Sequence, residues 1–315
     1  MAQVHVGRWK RTGEKVAVKV QYPNAERLMI GDLKNLRALA EFLQKTEFKF
    51  DLLSSIKELQ KQIVNEFDFR LEAKNMDYMH NSLKKTVPEV SIPRSIYSTK
   101  RALVMSFVEG INLCKLSEFK NSSKNIPTLV KLKIGRNLLN VLAKAWGEMI
   151  FELNFFNADP HPGNVCLGKD KIGLLDWGQM KRLPDTTVYK FARMVEAINS
   201  NNSTDIRKNF FALGIKVSDP ENLEFVERIA ITMLDTKIVP GFIIDPFSKN
   251  NSLGKNTVAS MPSDFYFVVR TVQLIRGIAH AFGLDYSLAN TWGPYARKAI
   301  TRLEKSQKQY IIAKE

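Results

Sequence analysis

The chain has 315 residues, 44% of them hydrophobic and 25% charged, which suffices for one large domain or two lobes and excludes a largely disordered chain. Two cysteines, Cys114 and Cys166, exclude a disulfide framework and lack metal-ligand spacing, so both are read as small buried groups in a reducing compartment. A net charge of +15, spread along the chain with no basic tail or aromatic-basic RNA motif, favours nucleotide phosphates and an anionic membrane surface or lipid over specific nucleic-acid recognition.

No signal peptide is visible at Met1, where a strand pattern begins at once. Gln3–Trp9 and Lys15–Gln21 read as two strands around the turn Arg11-Thr12-Gly13-Glu14. From Pro23 a helical period carries Leu28, Leu33, Leu36, Leu39, Ala40 and Leu43. Asp51 is placed as N-cap of a second helical run through Leu83, broken near Phe67-Asp68-Phe69. Pro88 and Pro93 mark a loop, and Arg101–Val108 is a buried strand ending at Glu109-Gly110.

Beyond Gly110 the pattern turns helical. Pro127–Asn154 is a long helix, Phe156–Asn164 a loop dense in polar groups, and Val165–Leu167 with Ile172–Leu175 a short hairpin. Helical runs follow near 186–199, 203–213, 221–235, 263–283 and 287–309, with a polar loop from Thr236 to Pro262. The most apolar stretch, Phe265–Phe282, carries Arg270, Arg276 and His280 and so is an amphipathic helix rather than a bilayer span. The expectation is an α+β, bilobal fold. Residues 1–110 form a small β-rich lobe with added helices, residues 111–315 a large helical lobe, and a cleft lies near residue 110.

Chemistry concentrates in one constellation. Asp159 and Asn164 stand five residues apart around Pro160-His161-Pro162-Gly163, and Asp176 ends the apolar strand Ile172-Gly173-Leu174-Leu175. An Asp to orient or deprotonate an acceptor, with an Asn and a second Asp offering hard oxygens to Mg²⁺ against the phosphates, suits phosphoryl transfer. Lys19, within Val16-Ala17-Val18-Lys19-Val20, needs a carboxylate partner and an anionic ligand in so apolar a strand. Glu66 and Glu72 are the candidates for that partner. Taken singly, each residue has an ordinary reading: a snorkelling lysine, turn or cap aspartates, solvated glutamates on a charged helix. Their joint order and spacing favour the site. His161 tempts a metal assignment, but no second His lies at ligand spacing.

These residues resemble the UbiB, or aarF-domain, atypical kinases associated with coenzyme Q and other prenyl-lipid metabolism. Ala2-Gln3-Val4-His5 is similar to the end of that family's alanine-rich nucleotide loop, Val16–Pro23 to its lysine strand, and Glu66–Asn75 to its E-x-D and E-A-x-N motifs. Asp159–Asn164 and Leu174–Gly178 resemble its D-P-H-P-G-N and D-F-G-like segments, with Trp177 in place of Phe and Asn157 where the family has His. The resemblance implies a kinase-like fold with ATP and Mg²⁺ in an interlobe cleft. It pairs Lys19 with Glu72, makes Asp159 the catalytic-base equivalent, and gives Asn164 and Asp176 to magnesium. Gln3, Glu66, Asp68 and Glu109 join Lys19 as expected nucleotide-side residues. Met1 falls inside the nucleotide loop, so the resemblance implies either that the family's first strand and K-x-G-Q extension lie upstream of this sequence, with any targeting segment, or that this is a degenerate member without them. The implied location is a mitochondrion or plastid, at the membrane periphery, or the cytoplasmic membrane face of a bacterium.

Two other readings stand beside this one. A small-molecule phosphotransferase of the aminoglycoside or choline kinase type uses a similar Asp/Asn/Asp set, but the stretch Glu66–Glu72 and the Gln3-Val4-His5 strand favour the first reading. A non-catalytic nucleotide- or lipid-binding scaffold would have little reason to keep all five polar site residues.

Overall fold

Two short strands around a tight turn, followed by helices with one buried face, open the fold. In the computed structural model, which describes residues 2–46, 67–115, 127–242 and 257–312, β1 (Ala2–Arg8) and β2 (Lys15–Gln21) form an antiparallel hairpin. Next come α1 (Ala25–Thr46), α2 (Phe69–Thr86), β3 (Val90–Ser91), β4 (Ser95–Ser98), β5 (Ala102–Ser106) and β6 (Ile111–Asn112). The sheet order is β1-β2-β5-β4, with Val16 and Ala17 of β2 and Leu103, Val104 and Met105 of β5 buried. β1 and β4 are its edges among the described residues, and Val4 and Val6 of β1 are exposed.

Asp68 sets where α2 begins: its carboxylate accepts the Arg70 amide at 3.0 Å, satisfying one of the first-turn N–H groups. The buried stripe of α2 then runs Glu72, Met76, Met79 and Leu83, at the spacing of one helix face. Glu72 is the single charged member of that stripe. The stretch from Asp51 to Glu66, expected to be helical, lies outside the described residues.

The chain divides into two compact units, Met1–Ser122 with His161–Met180, and Ser123–Pro160 with Lys181–Glu315. This differs from a single cut near residue 110, and strand pairing explains why. β8 (Val165–Leu167) and β9 (Ile172–Leu174) form the expected hairpin, but their outer edges pair with β6 and β3, giving the sheet β3-β9-β8-β6. The hairpin therefore belongs with residues 90–112. The loop expected between Pro88 and Pro93 also contains β3, a two-residue parallel pairing of Val90 with Ile172 and Ser91 with Gly173.

The second unit is mostly helical. α3 (Thr128–Gly147) continues into a π-helical turn at Glu148–Glu152, so the helix expected to reach Asn154 ends earlier and wider. β7 (Phe155–Asn157) and β10 (Met180–Arg182) follow in the chain. Then come α4 (Asp185–Asn199), α5 (Ser203–Ala212), β11 (Lys216–Val217), α6 (Leu223–Leu234), β12 (Val258–Ser260), α7 (Ser263–Ala281) and α8 (Leu288–Ile312). The core gathers Phe151, Phe191, Phe265 and Trp292. The Phe191 centroid lies 5.4 to 5.9 Å from the other three, within the range where aromatic pairs add to simple burial. The Trp292 indole N–H finds the Ala143 carbonyl at 2.8 Å. Among the described residues, no helix is long and apolar enough to cross a membrane.

Candidate functional site

The side chains of β2 alternate, so Lys19 shares a face with Ala17 and Gln21. Its Nζ donates to both oxygens of Glu72, at 2.7 and 2.9 Å, and to Asp176 Oδ2 at 2.8 Å. Glu72 is only 4% exposed, Lys19 14% and Asp176 36%, all measured on the side chains. One ammonium thus lies between two carboxylates supplied by a helix and by the end of a strand. Between the two glutamates considered, the structure brings Glu72 to Lys19; Glu66 lies outside the described residues.

Two acids sharing one cation cannot have equal electrostatics. Burial pushes the Glu72 carboxyl up to about 7, Asp176 adds like-charge repulsion, and Lys19 with the Trp177 amide only partly opposes them. Burial pushes the Asp176 carboxyl up as well, but Lys19 and the Gly178 amide outweigh it and hold the group below its usual range. Burial also opposes the Lys19 charge, and Asp176 and Glu72 together raise its pKa above that of an ordinary lysine.

The turn after Asp176 is fixed from several sides. Gly178 N–H donates to Asp176 Oδ1 at 2.9 Å, and a Cβ at Gly178 would lie 3.3 Å from that oxygen. Trp177 is fully buried, its indole donating to Leu174 O at 3.2 Å, while Asn75 Nδ2 holds the Trp177 carbonyl at 3.1 Å. The E-A-x-N asparagine is therefore a clamp on the D-W-G turn. Asn164 closes a short 3₁₀ turn, and its carbonyl accepts the Leu175 amide at 2.9 Å. The two residues assigned to magnesium are in this way tied to one another by the backbone of the β8–β9 hairpin. His161 Nδ1 accepts the Gly163 amide at 3.0 Å and serves as the cap of that turn.

Asp159 lies in the other unit. Its amide donates to Asn157 Oδ1 at 2.8 Å, and Asn157 is 3% exposed, its carbonyl accepting the Trp146 indole at 2.8 Å. The asparagine standing in place of a histidine thus orders the loop by its own hydrogen bonds. Arg270 of α7 reaches Asp159 Oδ1 at 3.0 Å. Arg302 of α8 holds the base of the loop, donating to Phe151 O at 2.6 Å and Asn154 Oδ1 at 3.3 Å. Neither arginine was among the expected site residues. Both come from helices more than a hundred positions away, and a solvated cation on an amphipathic helix carries no local signal.

The other expected nucleotide-side residues are more dispersed. Asp68 is the α2 cap and an ion-pair partner of Arg70 at 2.6 Å, which holds its carboxyl down at about 2. Glu109 pairs with Lys15 at 2.7 Å with both side chains exposed, an arrangement that contributes little net energy. Gln3 faces Val20 in the β1–β2 register and is exposed. A further anchor, Gln21, donates to Phe67 O at 2.8 Å and Lys100 O at 3.1 Å, tying β2 to the turn before α2.

A lysine strand paired to a helix glutamate, beside an Asp at the end of a strand hairpin, defines a kinase-like protein. Residues 1–210 match the family described as the ABC1 atypical kinase-like domain, and the chain belongs to that family. It is similar to Protein ACTIVITY OF BC1 COMPLEX KINASE 7, chloroplastic, of Arabidopsis thaliana, at 26% identity over 91% of this chain and 41% of the relative. It is also similar to AarF domain-containing protein kinase 1 of Xenopus laevis, at 29% identity over 98% of this chain and 60% of the relative. The chain spans about half the length of the curated relatives it matches. Among solved structures, that described as the complex of Rv3197 with erythromycin from Mycobacterium tuberculosis shares the fold. The TM-score is 0.60 with 19% identity, covering 95% of this chain and 74% of that one.

Proposed function

We propose that this chain is the nucleotide-binding part of an atypical kinase or ATPase that uses ATP and Mg²⁺ and acts in quinone or prenyl-lipid metabolism. The observation that carries the proposal is Lys19 Nζ held between Glu72 and Asp176 at 2.7 to 2.9 Å. A partly buried lysine steadied by a glutamate and aimed at an aspartate at a strand end is what positioning of nucleotide phosphates requires. The donor set fits magnesium: Asp176 and Asn164 offer hard oxygens, and the Leu175 amide on the Asn164 carbonyl ties the two residues together.

In this reading Lys19 holds the phosphates, Glu72 fixes Lys19, and Asp176 with Asn164 holds the metal. Magnesium, when bound, supplies neutralisation of the phosphate charge. Asp159, oriented by Asn157 and Arg270, positions the acceptor. The basic charge and chloroplastic relatives support peripheral work at an anionic organellar membrane. The test is a thermal shift with ATP, with and without Mg²⁺. A ligand at 100 times its Kd stabilises by about 2.7 kcal/mol, and Asp176→Asn is expected to abolish the metal-dependent part. Equal metal-dependent stabilisation in both proteins removes Asp176 from the site.

A further inference from the structure

We infer that a cavity between the end of α6 and the second half of α7 binds an amphipathic anion, with a carboxylate or phosphate head on a short apolar body. The cavity measures about 340 Å³, the lower end of the range that holds small ligands. It lies wholly within the helical unit, beyond the residues that match the family. Ile238, Val239 and Leu284 are among its apolar lining, and Lys237, Arg276 and His280 also line it. No Asp or Glu does so among the described residues.

The guanidinium of Arg276 makes this more than a greasy hollow. Its Nη1 donates to Gln273 Oε1 at 3.3 Å and its Nη2 to the Asp235 main-chain carbonyl, both neutral acceptors. Its Nε is buried with no hydrogen-bond partner. The carboxylate of Asp235 is engaged elsewhere: Oδ1 accepts the Thr236 and Ala289 amides at 2.8 and 3.0 Å, and Oδ2 the Ser287 hydroxyl at 2.8 Å. Asp285 uses its carboxylate on the Ile238 amide at 3.2 Å. Burial pulls the Arg276 pKa below the usual arginine value, with the Asp235 charge opposing. A half-buried cation bonded only to neutral oxygens has lost hydration without gaining a direct ion pair, and an anion in the cavity that Arg276 lines would match its charge. A purely structural Arg276, stapling α7 to the end of α6, would need neither Lys237 nor His280 beside an apolar cavity. The inference does not depend on the nucleotide reading.

The test is isothermal titration of the full chain with sodium decanoate, decyl phosphate and 1-decanol, each below its aggregation threshold. One-to-one binding of at least one anion is expected, with decanol at least tenfold weaker, and the ratio of the two anions identifies the head group. Lys237→Gln, at an exposed position, and Arg276→Gln are each expected to weaken the anion about tenfold. If Arg276→Gln fails to fold, Lys237→Gln and the decanol comparison decide. Equal binding of decanol and the anions, no binding of either anion, or an affinity unchanged by Lys237→Gln would overturn the assignment.

Discussion

Glu72→Gln isolates the electrostatics of the Lys19 network. The Glu72 carboxyl is raised from 4.5 to about 7, so the folded protein holds a proton that the unfolded chain has already released in that interval. The stabilisation this proton provides is complete below about 4.5 and is lost as pH rises through about 7. At 1.36 kcal/mol per pH unit, the interval corresponds to about 3 kcal/mol. Glutamine has nearly the shape of the protonated acid and does not titrate. The difference in unfolding free energy, wild type minus variant, is therefore expected to fall by about 3 kcal/mol between pH 4.5 and pH 8. The assay is urea unfolding at several pH values in a chelating buffer, where the four histidines common to both proteins cancel. A difference that is flat, or that grows with pH, would refute the reasoning, because it would mean that Lys19 outweighs burial and the Asp176 charge. With ATP and Mg²⁺ added, the same variant is expected to bind nucleotide more weakly through a misplaced Lys19.

A Cβ at Gly173 would overlap Cys166 Sγ and lie 2.8 Å from Val108 Cγ1, so Gly173→Ala is expected to cost about 1–3 kcal/mol in urea unfolding, partly restored by Cys166→Ala. Asp68→Ala removes the α2 cap and should cost about 0.5–2 kcal/mol, whereas Asp68→Asn should keep most of the stability. Asp159→Asn is expected to reduce ATP turnover by about 10²–10⁴-fold while leaving the Mg²⁺-dependent thermal shift by ATP intact. Loss of that shift in Asp159→Asn would make the residue a nucleotide ligand instead.

Much of the local architecture follows from the chain itself. Alternation in Lys15–Gln21, the helical period of α2 and α7, and the turn chemistry around Pro160–Asn164 are local signals, set by backbone sterics and side-chain spacing. The polar members of the site were legible for the same reason, each an anomaly against an apolar or tightly turned surrounding. What the sequence left open was decided by pairing across long separations. Strands of two residues such as β3 and β6 carry too little pattern to declare themselves, and exist because a partner strand supplies their hydrogen bonds. The choice of Glu72 at Lys19 follows from the buried stripe of α2, in which one carboxylate takes the place of an apolar side chain. Arg270 on Asp159, Arg302 under the loop base and the uncompensated Arg276 arise from helix packing, which brings together residues up to 151 positions apart. Composition and periodicity specify what each segment can become; only tertiary burial determines which charges must find one another, since a charge removed from water is costly until it is paired.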